Sequence, residues 1–271
     1  MYRAELGFPT TTLETSCFSL LPVAKKSAKK IRADIRLVEL GLVTSHDRAL
    51  AMLIAGNVFL GETRIDKPGT LVPGDGELTL RQAPRFVSRG GYKLEGALDA
   101  LGVAVAGLVC VDVGASTGGF TDCLLQRGAT RVFAVDVGHG LLAHKLVTDP
   151  RVTVMDKTNA RHLEAKHFGA PIDLAVVDAS FIGIGKLAPG LALILPAEKW
   201  LLAMIKPQFE VAKAEAQKSK GVISDPALRD SALNQAMEEI VKAGFTFIRG
   251  CDSILPGPKG NVEYFCLAQR C

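Results

Sequence analysis

At 271 residues, 48% of them hydrophobic, the chain is long enough for roughly two domains with a sizeable core. Its formal charge of +4 permits an acidic partner without demanding one, and no run of about 18 apolar residues is present to form a membrane-spanning helix. The cysteines, Cys17, Cys110, Cys123, Cys251, Cys266 and Cys271, include no C-x-x-C pair and fall mostly inside apolar patterns, which predicts reduced core thiols in a cytosolic protein, not disulfides or a zinc site.

The first segment, 1–30, holds the apolar patch "CFSLLPVA" followed by the basic run "KKSAKK". A secretory signal has the opposite order, so this stretch reads as a flexible tail. Across 31–80 the pattern is a helix ended by Gly41, a second helix capped by Thr44 or Ser45 and ended by Gly56, then short strands at 58–60 and 77–80. The next stretch, "RQAPRFVSRGG" at 81–91, has a proline, paired glycines and arginines that could touch a nucleic acid, and reads as a linker.

From 92 to the C-terminus strands and helices alternate. Strands are predicted at 109–113, 131–135, 152–155, 174–178, 200–205, 245–249 and 263–268, an α/β, Rossmann-like doubly wound sheet with helices on both faces. The first strand runs into "GASTGGFTDCLL". Thr117 or Thr121 could cap the helix after it, Phe120, Cys123 and Leu124 recur at helical spacing, and Gly128 ends it. Such a loop leaves free backbone N–H groups at a helix N-terminus. Its glycines match neither the G-x-G-x-x-G nor the G-x-x-x-x-G-K-[ST] order of phosphate binders, and Asp112 at the loop mouth disfavours a polyanion. A ligand carrying positive charge is favoured, and S-adenosylmethionine, with its sulfonium and α-amino groups, has that character.

Acids end the next two strands. Asp136 is placed for ribose hydroxyls and Asp156 for the exocyclic amine of an adenine. With Asp112, Gly114, Ser116, Gly118, Phe120 and Asn159 they form the candidate cofactor set. The fourth strand ends at Asp178 in "VVDASF" and the fifth at Lys206 in "MIKPQFE". A lysine at the rim of a sheet, partly desolvated and beside another cation, can give up its proton and act as a general base. Lys93 in "SRGGYKL" and Glu263 in "GNVEYF" taken alone read as a helix-surface lysine and a solvated glutamate.

Together "SRGGYKL", "VDVGASTGGFTDCLLQRGA", "NAR", "VDASFI", "IKPQFE" and "GPKGNVEY" resemble the TlyA family, haemolysin-A-like 2′-O-methyltransferases of ribosomal RNA that join a small RNA-binding module to an FtsJ-like methyltransferase domain. The resemblance runs from about Ile31 to the end. It implies a small α+β RNA-binding domain at 31–80, similar to a module of a small-subunit ribosomal protein, pseudouridine synthases and tyrosyl-tRNA synthetases, and a methyltransferase domain at 92–271. It also implies a catalytic tetrad, Lys93, Asp178, Lys206 and Glu263, with S-adenosylmethionine as cofactor, no metal, and ribosomal RNA or ribosomal subunits as partners, methylated at cytidine. The chain is expected to act as a monomer. Arg32, Arg36, Arg48, Lys67, Arg85 and Arg89 become candidate phosphate contacts that position RNA without reading its sequence. The family pattern departs at His139, Leu141 and His144, where it shows an aromatic, glutamine and tryptophan, and at Asp156-Lys157, where it shows Glu-Arg. The rival readings are a catalytically silent RNA-binding protein, a DNA or small-molecule methyltransferase, and a membrane-active haemolysin, which would need an insertion segment that does not stand out in the sequence.

Overall fold

The computed structural model describes residues 29–271 except 82–83, 213–214, 216, 218 and 220. The tail expected at 1–30 lies, up to residue 28 and with Cys17, outside the described residues; Lys29 O accepts from the Gly74 N–H at 3.0 Å, and Lys30 opens the first strand. The chain divides into two units, Met1–Ala83 and Pro84–Cys271.

In the first unit β1 (Lys30–Arg32), α1 (Ala33–Glu39), α2 (His46–Ile54), β2 (Val58–Leu60), β3 (Thr63–Ile65), β4 (Leu71–Pro73) and β5 (Leu78–Leu80) succeed one another. Ser45 caps α2, accepting from the N–H of Arg48 at 3.2 Å. Ala33 and Leu37 on one helix, and Ala49 and Leu53 on the other, recur at a spacing of four and meet Val58 and Val72 in a small core. β1 pairs antiparallel with β4, and β3-β2-β5 form an antiparallel sheet. Strands β1, β3 and β4 escape sequence reading because their residues, KIR, TRI and LVP, are broken by charged residues or a proline and form no apolar run like the VFL of β2.

The second unit is built on seven strands: β6 (Val109–Val113), β7 (Arg131–Val135), β8 (Val152–Met155), β9 (Leu174–Val177), β10 (Trp200–Ile205), β11 (Phe245–Asp252) and β12 (Tyr264–Arg270), in the order β11-β12-β10-β9-β6-β7-β8. β12 runs antiparallel to both of its neighbours, while the pairs from β10 to β8 are parallel. Pleat alternation divides the apolar side chains between two cores. Val111, Val113, Ala175, Val177, Leu201 and Ala203 pack with the helices Ala188–Ile194 and Pro226–Lys242. Cys110, Leu174, Val176, Leu202 and Met204 pack with α3 (Arg89–Ala100) and α4 (Gly119–Gln126) on the other face. The sheet is thus covered on both sides, as its near-continuous apolar strands require. Burial pushes the thiols of Cys110, Cys123 and Cys266 up to about 12, so they pack as small apolar groups.

The expected linker 81–91 is corrected by this structure. Pro84 onward belongs to the second unit: Phe86 is buried in its core, the Val87 N–H donates to Asp122 at 2.9 Å, and α3 already begins at Arg89. The glycines that suggested flexibility serve close packing, since a Cβ on Gly91 would lie 2.3 Å from the Phe86 ring.

Candidate active site

The chain proceeds from β6 outward to β7 and β8, then returns to β9 on the other side of β6. In open α/β sheets this reversal opens a crevice beyond the carboxyl ends of the strands. Val113 registers with Val177, so Gly114 and Asp178 leave the sheet side by side. Gly114 has φ +85°, and a Cβ there would stand 2.7 Å from the Asp178 carbonyl oxygen, a contact only glycine avoids. The cap of α4 is Gly118, also at positive φ, and not a threonine. Thr121 instead turns inward and donates its hydroxyl to Asp112 at 2.6 Å.

Three cavities meet at this crevice. The first, about 510 Å³, is walled by Val135, Val137, Leu141 and Leu187 with Asp136 and Asn159. It shares Gly114, Ser116, Asp178 and Ser180 with a second of about 420 Å³, which reaches Ser88, Lys93, Phe120, Lys206 and Glu263. A third, about 480 Å³, shares Ser180, Lys206 and Glu263 with the second and extends to Phe181, Gln208 and Phe209.

All four tetrad residues converge where these cavities join. The antiparallel register of Ile205 with Tyr264 sets Lys206 across from Glu263. Lys206 Nζ lies 2.5 Å from Asp178 Oδ1 and donates to Ser180 Oγ at 3.0 Å. Lys93, from α3, bonds Glu263. Lys93, Lys206 and Glu263 are buried, so two cations and two carboxylates neutralise each other away from water. Burial pushes the Asp178 carboxyl above its ordinary range, while Lys206 and Lys93 pull it down.

Of the expected cofactor residues, Asp136, Asn159, Gly114, Ser116 and Phe120 line the first two cavities. Asp136 accepts from the N–H of Ser116 at 2.8 Å and of Gly138 at 2.7 Å, joining the glycine loop to the turn after β7. Three expected residues lie outside these linings. Gly118 packs against Leu142 and Leu146. Asp156 ties down the neighbouring turn, accepting from the Gly140 N–H at 2.8 Å and bonding His139 at 2.9 Å. Asp112 is fully buried and not in the loop mouth; burial pushes it up to about 7, and its Oδ1 has no hydrogen-bond partner among the described residues.

Sequence reading missed Ser180, Phe181, Gln208 and Asn261. Ser180 was within reach, two residues past Asp178 inside "VVDASF". Asn261, buried, accepts from the Ile223 N–H and donates to Gly221 O, both at 2.8 Å, which fixes the turn that delivers Glu263. Phe181 carries a positive φ of 67° and is 91% exposed, its ring 5.4 Å from that of Phe209.

The candidate RNA contacts differ in how free their charge is. Arg32 pairs with the buried Asp34, whose carboxyl it holds at about 2, and Arg36 pairs with Glu39. Arg85 pairs with Glu95 and lies over the Phe86 ring, while Arg89 donates to Pro256 O. Arg48 and Lys67 are exposed, with no ion pair among the described residues.

Residues 86–270 match the FtsJ-like methyltransferase family. The chain is 42% identical over 240 residues to the 16S/23S rRNA (cytidine-2′-O)-methyltransferase TlyA of Mycobacterium tuberculosis, covering 88% of this chain and 89% of that one. It is 38% identical to Hemolysin A of Brachyspira hyodysenteriae over 83% of this chain and 93% of that protein. A solved structure from Streptococcus thermophilus superposes with a TM-score of 0.68 at 35% identity, covering 89% of this chain and 88% of that one. Among the described residues no helix is long and apolar enough to cross a membrane.

Proposed function

The chain belongs to the TlyA family of FtsJ-like methyltransferases, and from that premise we propose that it transfers a methyl group from S-adenosylmethionine to the ribose 2′-hydroxyl of a cytidine in ribosomal RNA. The observation that carries this reading is the pairing of Lys206 with Asp178 and of Lys93 with Glu263 where the cavities meet.

The residues present fit the cofactor. The first cavity has apolar walls at Val135, Val137 and Leu141 for an adenine and a carboxylate, Asp136, for ribose hydroxyls. Gly114 to Thr117 and Ser88 to Gly90, around the second, offer main chain to the amino-acid end. Bound there, S-adenosylmethionine supplies a methyl group made electrophilic by its sulfonium. What remains for the protein is to align the ribose and remove its proton.

Lys206 lines both the second and third cavities, which supports the reading that its Nζ receives that proton. Lys206 and Asp178 are in contact, so the carboxylate faces the charge that the lysine gains with the proton taken from the hydroxyl. Ser180 and Asp178 fix the direction of the Lys206 side chain. The Lys93–Glu263 bond anchors the opposite wall. RNA phosphates are met by Arg48 and Lys67, exposed candidate cations with no ion pair among the described residues.

Purified protein, labelled S-adenosylmethionine and ribosomal subunits test the reading, together with mapping of 2′-O-methyl groups. Label at a cytidine ribose is the expected result. Folded, cofactor-binding protein that labels no ribosomal RNA would overturn it.

A further inference from the structure

Gln208 stands two residues after Lys206, in the short helix Pro207–Glu210. Its Oε1 is buried and accepts no hydrogen bond among the described residues. A buried acceptor left without a donor is costly, and native structures seldom keep one without a reason. The other such atoms lie elsewhere or already have an ionic partner: Arg36 Nε and Thr79 Oγ1 are in the first unit, Asp112 lies outside the cavity linings, and Asp178 faces Lys206. Gln208 lines the third cavity with Lys206 and Glu263, and also a neighbouring one of about 580 Å³ with Phe181 and Phe209.

The chemistry of this position narrows its occupant. An amide oxygen repels phosphate and carboxylate oxygens and requires an N–H or O–H donor. Phe181 and Phe209 offer flat apolar surface beside it, which suits a nucleobase drawn out of its stack. Lys206 engages the ribose, so the base of the same nucleotide is within a nucleoside's reach of the residue two positions on. At the relevant edge cytosine presents an exocyclic amino group, whereas uracil presents a carbonyl oxygen. We propose that Gln208 accepts a hydrogen bond from the exocyclic amino group of the target cytidine and so selects cytidine over uridine. This inference rests on the function proposed above and names the residue that sets its base preference.

The test uses the full-length protein and a ribosomal RNA fragment carrying cytidine, uridine or pyrimidin-2-one riboside, which lacks the amino group, at the methylated position. Single-turnover methylation is compared for the wild type and Gln208→Leu, with cofactor affinity as the report on folding. The wild type should slow roughly 10-fold or more on either altered base, since the glutamine is then left without its donor. Gln208→Leu should be slow on all three to a similar degree. Should the leucine variant fail to fold, Gln208→Met provides the same comparison. A variant that keeps the wild-type preference, or a wild type indifferent to the amino group, overturns the inference alone. A wild type that methylates no RNA ribose overturns the proposed function as well.

Discussion

Lys206 and Asp178 meet at 2.5 Å because β9 and β10 are adjacent parallel strands whose register pairs Val177 with Ala203, so both side chains emerge at the same edge of the sheet. A base held this way should act only as the methyl moves. Lys206→Ala should therefore lower kcat by about 10² to 10⁴-fold while leaving cofactor affinity nearly intact. Lys206→Arg should fare little better, because a guanidinium does not release its proton. Near wild-type turnover by the arginine variant would show that only positive charge is needed.

The same pair sets a pH dependence. Burial favours the neutral form of Asp178, so at low pH its carboxyl holds a proton and no longer offers a negative charge to balance the proton taken from the hydroxyl. Single-turnover rate should rise with pH as that proton leaves, and this rise should vanish in Asp178→Asn. A variant that kept the wild-type profile would place the titration elsewhere.

Lys93 and Glu263 give a stability prediction. Both are buried, and removing one partner leaves the other charged and unpaired. Lys93→Met should cost about 3–5 kcal/mol in denaturant unfolding, and adding Glu263→Gln should restore much of it. Additive losses in the double variant would mean the two do not depend on each other.

How much of this was legible depends on which forces set each residue. The central strands β6, β7, β9 and β10 were readable because buried parallel strands are short, continuous apolar runs, and Asp178 and Lys206 because they are the polar residues that end two of them. Lys93 and Glu263 were not readable from pattern: their meeting depends on β12 running backwards beside β10, a pairing that no local signal encodes and that only the family resemblance supplied. The 81–91 segment misled because its composition reads as flexible while the burial of Phe86 is a tertiary fact. Asp112 misled through its position near a strand end. Pleat parity sets it with Cys110, facing α4, and that is why Thr121 finds it.

Asp112 accordingly has a testable titration. Its folded value, about 7, stands above the ordinary carboxylate value, so the folded state holds the proton more tightly than the unfolded chain. Stability from this group is full below about pH 4 and is lost as pH rises toward 7. Asp112→Asn removes that loss. The difference in unfolding free energy should grow in favour of the variant between those limits, reaching on the order of a few kcal/mol, then level off. A difference independent of pH would mean Asp112 is not protonated in the folded protein.

The last prediction separates the two charge environments in the first unit. Arg32 and Arg36 already answer carboxylates, whereas Arg48 and Lys67 have no ion pair among the described residues and keep their charge for a polyanion. Each phosphate contact that releases a counterion adds about 0.7 to 0.9 to the slope of log affinity against log salt. The double variant Arg48→Ala with Lys67→Ala should flatten the slope for ribosomal RNA by about 1.5, the sum of two contacts. Arg36→Ala should change it less, because the charge of Arg36 is already answered by Glu39 and its loss removes little counterion release. Titrations by fluorescence anisotropy across a range of salt concentrations read both slopes. An unchanged slope in the double variant would move the phosphate contacts off this unit, toward Arg89 at the rim of the second cavity.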